Sequence, residues 1–165
     1  MKPVIILDNV LNKGEMHEYL FYSESVGGEG RWVDYSLEVD SYSWKILDIA
    51  SNYYDLSKIK GFEIWTHNNS KPAADENGGW HYDKDEYRFG LNKVLSFPVC
   101  SIIYYAKAKN LRNGKLLIED NIMITPKENR LVIFGPGKKH YVQDFTGDRF
   151  SVNINPWNRL LEEYK

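Results

Sequence analysis

The stretch GGWHYDKDE (residues 78–86) decides how this chain is interpreted, because it places His81 and Asp83 two positions apart. In an extended strand, residues i and i+2 point to the same face, so this imidazole and this carboxylate can converge on one metal ion. Such a triplet also arises by chance, so the motif needs support from elsewhere in the chain. The triplet, through His81 and Asp83, supplies two of the three protein ligands that we expect at the metal site.

The supporting residues lie in FGPGKKHYVQDFTGDRFSVNINPW (residues 134–157), which contains His140 and Arg149. His140 follows a Gly-Pro-Gly turn at the end of an apolar run, a position where functional side chains gather on a rigid scaffold. Two imidazoles and one carboxylate, with open coordination positions, form the ligand set of non-haem Fe(II) enzymes. Arg149 heads a polar row on the last strand and suits bidentate binding of a carboxylate.

Bulk properties set limits on the class of protein. A chain of 165 residues is large enough for one domain with its own core. The net charge of -2 gives no basic excess, which counts against nucleic acid as a partner. Cys100 is the only cysteine, so no intrachain disulfide can form and a reducing compartment is expected. The apolar run at residues 4–7 is too short for a signal peptide or a membrane span, so we expect a soluble cytosolic protein without a membrane partner.

The order of predicted elements divides one domain, residues 1–165, into two parts. Residues 1–60 are predicted to form helical support, with helices at residues 15–21 and 44–54. Residues 61–157 are predicted to form strands separated by frequent turns, including Asn113-Gly114 and Glu128-Asn129. This pattern predicts a mostly β protein, an antiparallel sandwich or jelly roll whose sheet is buttressed by the N-terminal helices.

A glycine-rich segment, Ser23 to Ser36, is predicted to be a surface loop, because three glycines fall within four positions. It is either a plain connector or a lid that covers a substrate.

Two further interpretations concern polar residues. His67 is expected to be structural or to support the site, and Asp85 and Glu86 are expected to form a solvated face.

The ordered residues His-x-Asp, a Pro-Gly-x-x-His turn and Arg-x-Ser on the final strand resemble the Fe(II)- and 2-oxoglutarate-dependent dioxygenases. The resemblance covers residues 61–157 and is strongest to the small prolyl-4-hydroxylase-like branch of bacteria and viruses. It implies a double-stranded β-helix, or jelly roll. The implied Fe(II) ligands are His81, Asp83 and His140. Arg149 and Ser151 are implied to bind the distal carboxylate of 2-oxoglutarate.

The chain departs from this family at one position, because the strand before His-x-Asp offers no tyrosine for 2-oxoglutarate. We expect Tyr104, on the strand predicted at residues 97–106, to take that role. The resemblance implies that O2 and 2-oxoglutarate are co-substrates and that a C–H bond of a peptidyl residue, proline among them, or of a small molecule is hydroxylated. Two alternatives are a cupin-like metal-binding jelly roll without 2-oxoglutarate chemistry and an inactive dioxygenase fold used as an interaction module. Arg149 argues against the first, and the complete ligand set argues against the second.

Overall fold

The structure, a computed structural model, describes residues 3–36, 41–68 and 79–164. Within these ranges two antiparallel sheets pack with three α-helices. The elements in chain order are β1 (Ile5–Asp8), α1 (Lys13–Glu24), β2 (Arg31–Asp34), α2 (Ser41–Ser51), β3 (Gly61–His67), α3 (Glu86–Asn92), β4 (Ser101–Asn113), β5 (Leu116–Ile118), β6 (Ile122–Ile124), β7 (Arg130–Phe134), β8 (His140–Val142) and β9 (Phe145–Trp157), followed by a short 3-10 helix at Glu162–Tyr164.

The larger sheet has six strands in the order β1-β7-β4-β9-β3-β2, and the smaller one has three in the order β6-β5-β8. Side chains alternate along each strand, so the larger sheet has one face toward the helices and one toward the smaller sheet. The prediction of a mostly β jelly roll with helical support is confirmed. Two apolar clusters result, one against α1 and α2 and one between the sheets.

The cluster between the sheets leaves space at one end for polar side chains. Ile103 and Tyr105 of β4 lie in this cluster together with Leu116 of β5. Tyr104, the residue between them, lies in the opposite cluster against the helices. The alternation along β4 therefore decides which side chains can reach the interior of the jelly roll.

The N-terminal third, predicted to form helical support, contributes strands as well as helices. β1 and β2 form the two edges of the larger sheet. The loop prediction for Ser23 to Ser36 is wrong at both ends, because α1 continues to Glu24 and β2 pairs with β3. β2 was missed because four residues with a single buried side chain, Val33, give too short a pattern to recognise.

The two predicted N-terminal helices are both present with shifted bounds. α1 begins earlier than predicted because Asn12 and Glu15 form a capping box, in which each side chain accepts a hydrogen bond from the other's backbone N–H. α2 ends at Ser51, three residues before the predicted end. No helix within the described ranges is both long and apolar enough to cross a bilayer.

The sequence did not predict α3. Its N-cap residue is Asp85, which corrects the expectation that Asp85 forms part of a solvated face. Asp85 is 2% exposed rather than solvated. Its carboxylate accepts a hydrogen bond from the backbone N–H of Arg88 and forms an ion pair with Arg159 at 2.7 Å. Burial would raise the pKa of Asp85, but these two partners together lower it. Glu86, the next residue, is exposed as expected.

Candidate metal and co-substrate site

Three side chains with metal-binding atoms meet between the two sheets. One ligand atom from each of His81, Asp83 and His140 lies within 4.8 Å of the other two. Asp83 Oδ1 is 3.7 Å from His140 Nε2. Among the described residues this is the one group of this kind.

Backbone pairing explains why residues so distant in sequence meet. His81 and His140 form an isolated antiparallel bridge. The N–H of each residue donates to the carbonyl of the other at 3.0 Å. The ring centroids of the two histidines are consequently 4.4 Å apart. The His-x-Asp segment was predicted to be a strand, and this single bridge is its only β-pairing within the described residues.

Both imidazoles are held in the tautomer that a metal ion needs. Nδ1 of His81 lies 2.9 Å from the carbonyl of Gly79, and Nδ1 of His140 lies 3.0 Å from that of Lys138. A carbonyl only accepts, so each Nδ1 carries a proton, and Nε2 is the nitrogen left to bind a metal ion. Burial lowers the pKa of His140, which also favours the neutral ring. Two imidazole nitrogens and one carboxylate fit Fe(II).

Ser101 fixes the orientation of the carboxylate, a contact that sequence reasoning missed. Its hydroxyl donates to Asp83 Oδ2 at 2.5 Å, so Oδ1 is the oxygen left facing the histidines. Ser101 is 3% exposed and begins β4. A polar residue at the start of an otherwise apolar strand was the available signal.

Arg149 is 3% exposed, packs against Tyr105 of the cluster between the sheets, and has no carboxylate partner among the described residues. Its guanidinium carbon is 5.2 Å from the ring centroid of Tyr105 and 5.4 Å from that of Phe145. Its Nε is buried without a hydrogen-bond partner. Burial lowers the pKa of this guanidinium, a cost that a bound anion would remove. The arrangement therefore fits a ligand carboxylate.

Two side chains contact the guanidinium at the limit of hydrogen-bond distance. Arg149 Nη1 is 3.4 Å from Ser151 Oγ and 3.4 Å from His67 Nδ1. Burial, followed by the charge of Arg149, lowers the pKa of His67 to about 4. His67 is therefore neutral at physiological pH, and its Nδ1 can accept from the arginine. The expectation that His67 supports the site agrees with this contact.

The expectation for Tyr104 is contradicted, because its side chain points away from the site. Tyr104 packs against Tyr19 of α1, with ring centroids 5.5 Å apart, and its hydroxyl donates to Asn129. The neighbouring Tyr105 pairs with Ser151 across the sheet and carries the ring beneath Arg149. Adjacent residues of a strand face opposite sides of the sheet, so Tyr104 faces the helices while Tyr105 faces Arg149.

The ligand cluster opens into a cavity of about 410 Å³ between the sheets. Its size is that of an ordinary small-molecule pocket. The described residues that line it are Gly28, Trp65, Thr66, His67, Gly79, His81, Asp83, Ile102, Ile103, Leu116, His140, Val142, Asn153 and Asn155.

Gly28 brings the remaining loop, residues 25–30, to the rim of this cavity. The N–H and the hydroxyl of Thr66 both donate to the carbonyl of Gly27, at 2.9 and 2.8 Å. These bonds hold the loop against β3. A lid function for the loop stays a prediction.

Structural comparison finds the same fold in Fe(II)/2-oxoglutarate oxygenases. A viral collagen prolyl hydroxylase from Paramecium bursaria Chlorella virus-1, in complex with 2-oxoglutarate, aligns with a TM-score of 0.59 and 12% identity over 93% of this chain and 94% of that one. An oxidoreductase of the 2-oxoglutarate–Fe(II) oxygenase family from Burkholderia pseudomallei gives 0.61 and 11% over 94% and 86%. A prolyl hydroxylase from Trichoplax adhaerens, bound to a hypoxia-inducible-factor peptide, gives 0.59 and 14% over 96% and 84%.

The chain thus has the jelly-roll fold of the prolyl-hydroxylase-like oxygenases. At these identities the likeness concerns the fold alone. No family model and no curated protein matches the sequence. Any assignment of activity therefore depends on the site of this chain.

Proposed function

We propose that this protein is an Fe(II)- and 2-oxoglutarate-dependent dioxygenase that hydroxylates a C–H bond. The observation that carries the proposal is the combination of a ligand cluster, whose cavity is also lined by His67, with a buried arginine that contacts His67 and has no carboxylate partner in the described chain. A metal site alone has no need of a buried cation nearby. A co-substrate that is both a metal chelator and a dicarboxylate needs both features.

The proposed Fe(II) ligands are Nε2 of His81, Oδ1 of Asp83 and Nε2 of His140. Three protein ligands leave coordination positions open for a chelating co-substrate and O2. When bound, iron and 2-oxoglutarate supply oxidative decarboxylation to succinate and CO2, with one oxygen atom of O2 inserted into a substrate C–H bond. The protein's own part is to hold the ligands, bind the far carboxylate and orient the substrate.

Arg149 is the proposed anchor for the distal carboxylate of 2-oxoglutarate, with Ser151 beside it. A guanidinium binds a carboxylate through two parallel hydrogen bonds, which suits a buried pocket. His67 accepts from the arginine and thereby helps to orient it. The aromatic rings of Tyr105 and Phe145 flank the guanidinium and keep it away from bulk water.

The proposed substrate is a peptidyl residue, with proline the first to be tested, or a small molecule. Support comes from the prolyl hydroxylases that share the fold, one of them seen with a bound peptide. The cupin-like alternative is disfavoured because it leaves Arg149 buried without a carboxylate. The inactive-module alternative is disfavoured because all three ligand positions hold residues that can bind iron.

Anaerobic addition of Fe(II) and 2-oxoglutarate tests the proposal. We expect a weak visible charge-transfer band, which appears only when the co-substrate chelates the metal. His140→Ala should abolish the band. Arg149→Ala should weaken 2-oxoglutarate binding by about tenfold or more, the effect of losing charge-assisted hydrogen bonds, and should leave metal affinity nearly unchanged.

Arg112→Ala is the matched control, because it removes an exposed guanidinium from β4. It should leave both affinities unchanged. Absence of the band in the unmodified protein at saturating metal and co-substrate would refute the 2-oxoglutarate assignment. Unaltered 2-oxoglutarate affinity in Arg149→Ala would show that the anchor lies elsewhere.

A further inference from the structure

A second groove, on the helical side of the larger sheet, has no part in the proposed dioxygenase site. Its volume is about 430 Å³. Three buried apolar side chains form its floor and belong to the cluster against α1 and α2: Leu47, Leu56 and Ile59. The proposed iron ligands, in contrast, meet between the two sheets. The groove therefore lies across the larger sheet from them.

Helical periodicity explains one wall of this groove. One face of α2 carries lining residues at i, i+3, i+4 and i+7, namely Trp44, Leu47, Asp48 and Ser51. Leu47 is buried, whereas Asp48 and Ser51 are exposed. This face of the helix thus combines an apolar base with a polar rim.

Two aromatic rings at right angles form a corner of the groove. The ring centroids of Tyr35 and Trp44 are 5.2 Å apart, and the ring planes meet at 86°. Phe62, which is fully buried, packs against Trp44 at 5.2 Å and 88° and so supports the indole from the core. The backbone N–H of Tyr35 donates to the carbonyl of Lys60 at 2.9 Å. The corner is therefore held in place although the Tyr35 side chain is 58% exposed.

The charge around this corner is negative. Asp48 and Asp55 line the groove, and none of its described lining residues is a lysine or an arginine. Asp48 forms no ion pair within residues 3–36, 41–68 and 79–164. Asp55 accepts hydrogen bonds from the N–H and the hydroxyl of Ser57, at 3.0 and 2.6 Å, which fix its carboxylate at the rim. The groove thus complements a positively charged group.

The combination of rings, carboxylates and an apolar floor selects among cations. The face of an aromatic ring is the negative pole of its quadrupole and attracts a cation that lies within about 6 Å of the ring centroid. An unmodified ammonium group is compact and strongly hydrated, so it loses its water only at a high cost. A trimethylammonium group carries the same charge under an apolar surface, and its methyl groups gain from contact with apolar side chains.

We propose that this groove binds a trimethylammonium group, which contacts the rings of Tyr35 and Trp44 and lies beside Asp48. Such a group occurs in small molecules, choline among them, and on trimethylated lysine side chains of proteins. The site does not depend on iron or 2-oxoglutarate, so it stands or falls separately from the dioxygenase proposal.

The test follows the binding of choline chloride by NMR of the protein isotope-labelled at tryptophan. The indole N–H signal of Trp44 is assigned by its absence from Trp44→Phe. Choline should shift this signal in a saturable manner and far more than the signals of the other tryptophans. The neutral carbon isostere of choline, in which a tert-butyl group replaces trimethylammonium, should bind at least about fivefold more weakly, because it lacks the charge.

Variants separate the ring from the carboxylate. Tyr35→Ala should weaken choline binding by about fivefold, the effect of one cation–π contact, and Tyr35→Phe should retain it because a ring remains. Tyr87→Ala is the matched control, since Tyr87 is 51% exposed on α3. Asp48→Asn should weaken the binding of choline but not of the neutral isostere. Asp144→Asn, an exposed carboxylate after β8, should bind both normally.

Two further probes distinguish the sources of the group. They are N-acetyl-trimethyllysine methylamide and its unmethylated counterpart, which should bind at least about fivefold more weakly. Tighter binding of the methylated lysine than of choline assigns the site to a methylated protein, and equal or weaker binding assigns it to a small molecule.

Four results would overturn the proposal. Choline could leave the indole signal of Trp44 unchanged, or the neutral isostere could bind as tightly as choline. The unmethylated lysine could bind as tightly as the methylated one. Finally, Tyr35→Ala or Asp48→Asn could bind choline as the unmodified protein does.

Discussion

Replacing Ser101 with alanine should weaken metal binding without removing any metal ligand. The hydroxyl of Ser101 donates to Asp83 Oδ2 at 2.5 Å and is 3% exposed, so this is a buried hydrogen bond to a charged group. Such bonds contribute about 1.5–3 kcal/mol, which corresponds to roughly a 10- to 150-fold change in an equilibrium constant. Loss of a contact that orients a metal ligand commonly costs about 10- to 100-fold in affinity, in agreement with that figure.

The assay is calorimetric titration of Mn(II) into the protein under argon, accompanied by thermal unfolding. Ser43→Ala is the matched control, because Ser43 is also buried and its hydroxyl is 3.0 Å from that of Tyr19, among the helices. Both variants should unfold more easily, but only Ser101→Ala should lose Mn(II) affinity. Equal metal affinity in the unmodified protein and Ser101→Ala, or an equal loss in Ser43→Ala, would refute the orienting role.

Three further predictions concern stability. Burial raises the pKa of Glu63 from 4.5 to about 7, so the folded state holds the proton more tightly and the free energy of unfolding should fall by up to about 3 kcal/mol as the pH rises from 4.5 through 7. Glu63→Gln should flatten this pH profile in urea titrations, and identical profiles for the two proteins would contradict the prediction. Asp85→Ala removes the N-cap of α3 and the ion-pair partner of Arg159, so urea titration should show that the free energy of unfolding falls by about 2–4 kcal/mol. A fall of less than ~1 kcal/mol would mean that this buried ion pair contributes little to stability. Gly61→Ala places a Cβ 2.3 Å from the backbone oxygen of Val33, so it should lower the free energy of unfolding by about 1–3 kcal/mol. Gly90→Ala is the control and should not lower it, because no atom lies within 4 Å of the added Cβ. Similar melting temperatures for the two variants would refute the steric argument.

The sequence alone identified the cluster of possible ligands because each residue carries a local signal. His81 and Asp83 are related by strand periodicity, and His140 follows a turn at Gly137, whose φ of 69° suits glycine. The hairpin signal at Asn113-Gly114 corresponds to two positive φ values, one at the last residue of β4 and one just after it. Features encoded within a few neighbouring residues were therefore predictable.

Features that depend on distant partners were not predictable in this way. Asp85 looked like part of a solvated acidic run because its partner, Arg159, lies 74 residues further along the chain. Tyr104 and Tyr105 are adjacent and chemically alike, so only the pairing of Tyr105 with Ser151 decides which one faces the interior. The role of Ser101 likewise depends on a residue outside its own strand, because its hydroxyl donates to Asp83.

The bridge between His81 and His140 has a kinetic consequence. Because their backbones already exchange two hydrogen bonds, the imidazoles are brought together when the chain folds and not when the ion arrives. The slow step of metal uptake should then be the loss of water from the ion, with a rate that varies with the metal chosen and little with chain flexibility. Stopped-flow mixing with Mn(II) and Ni(II), which release water at very different rates, would reveal this order of events.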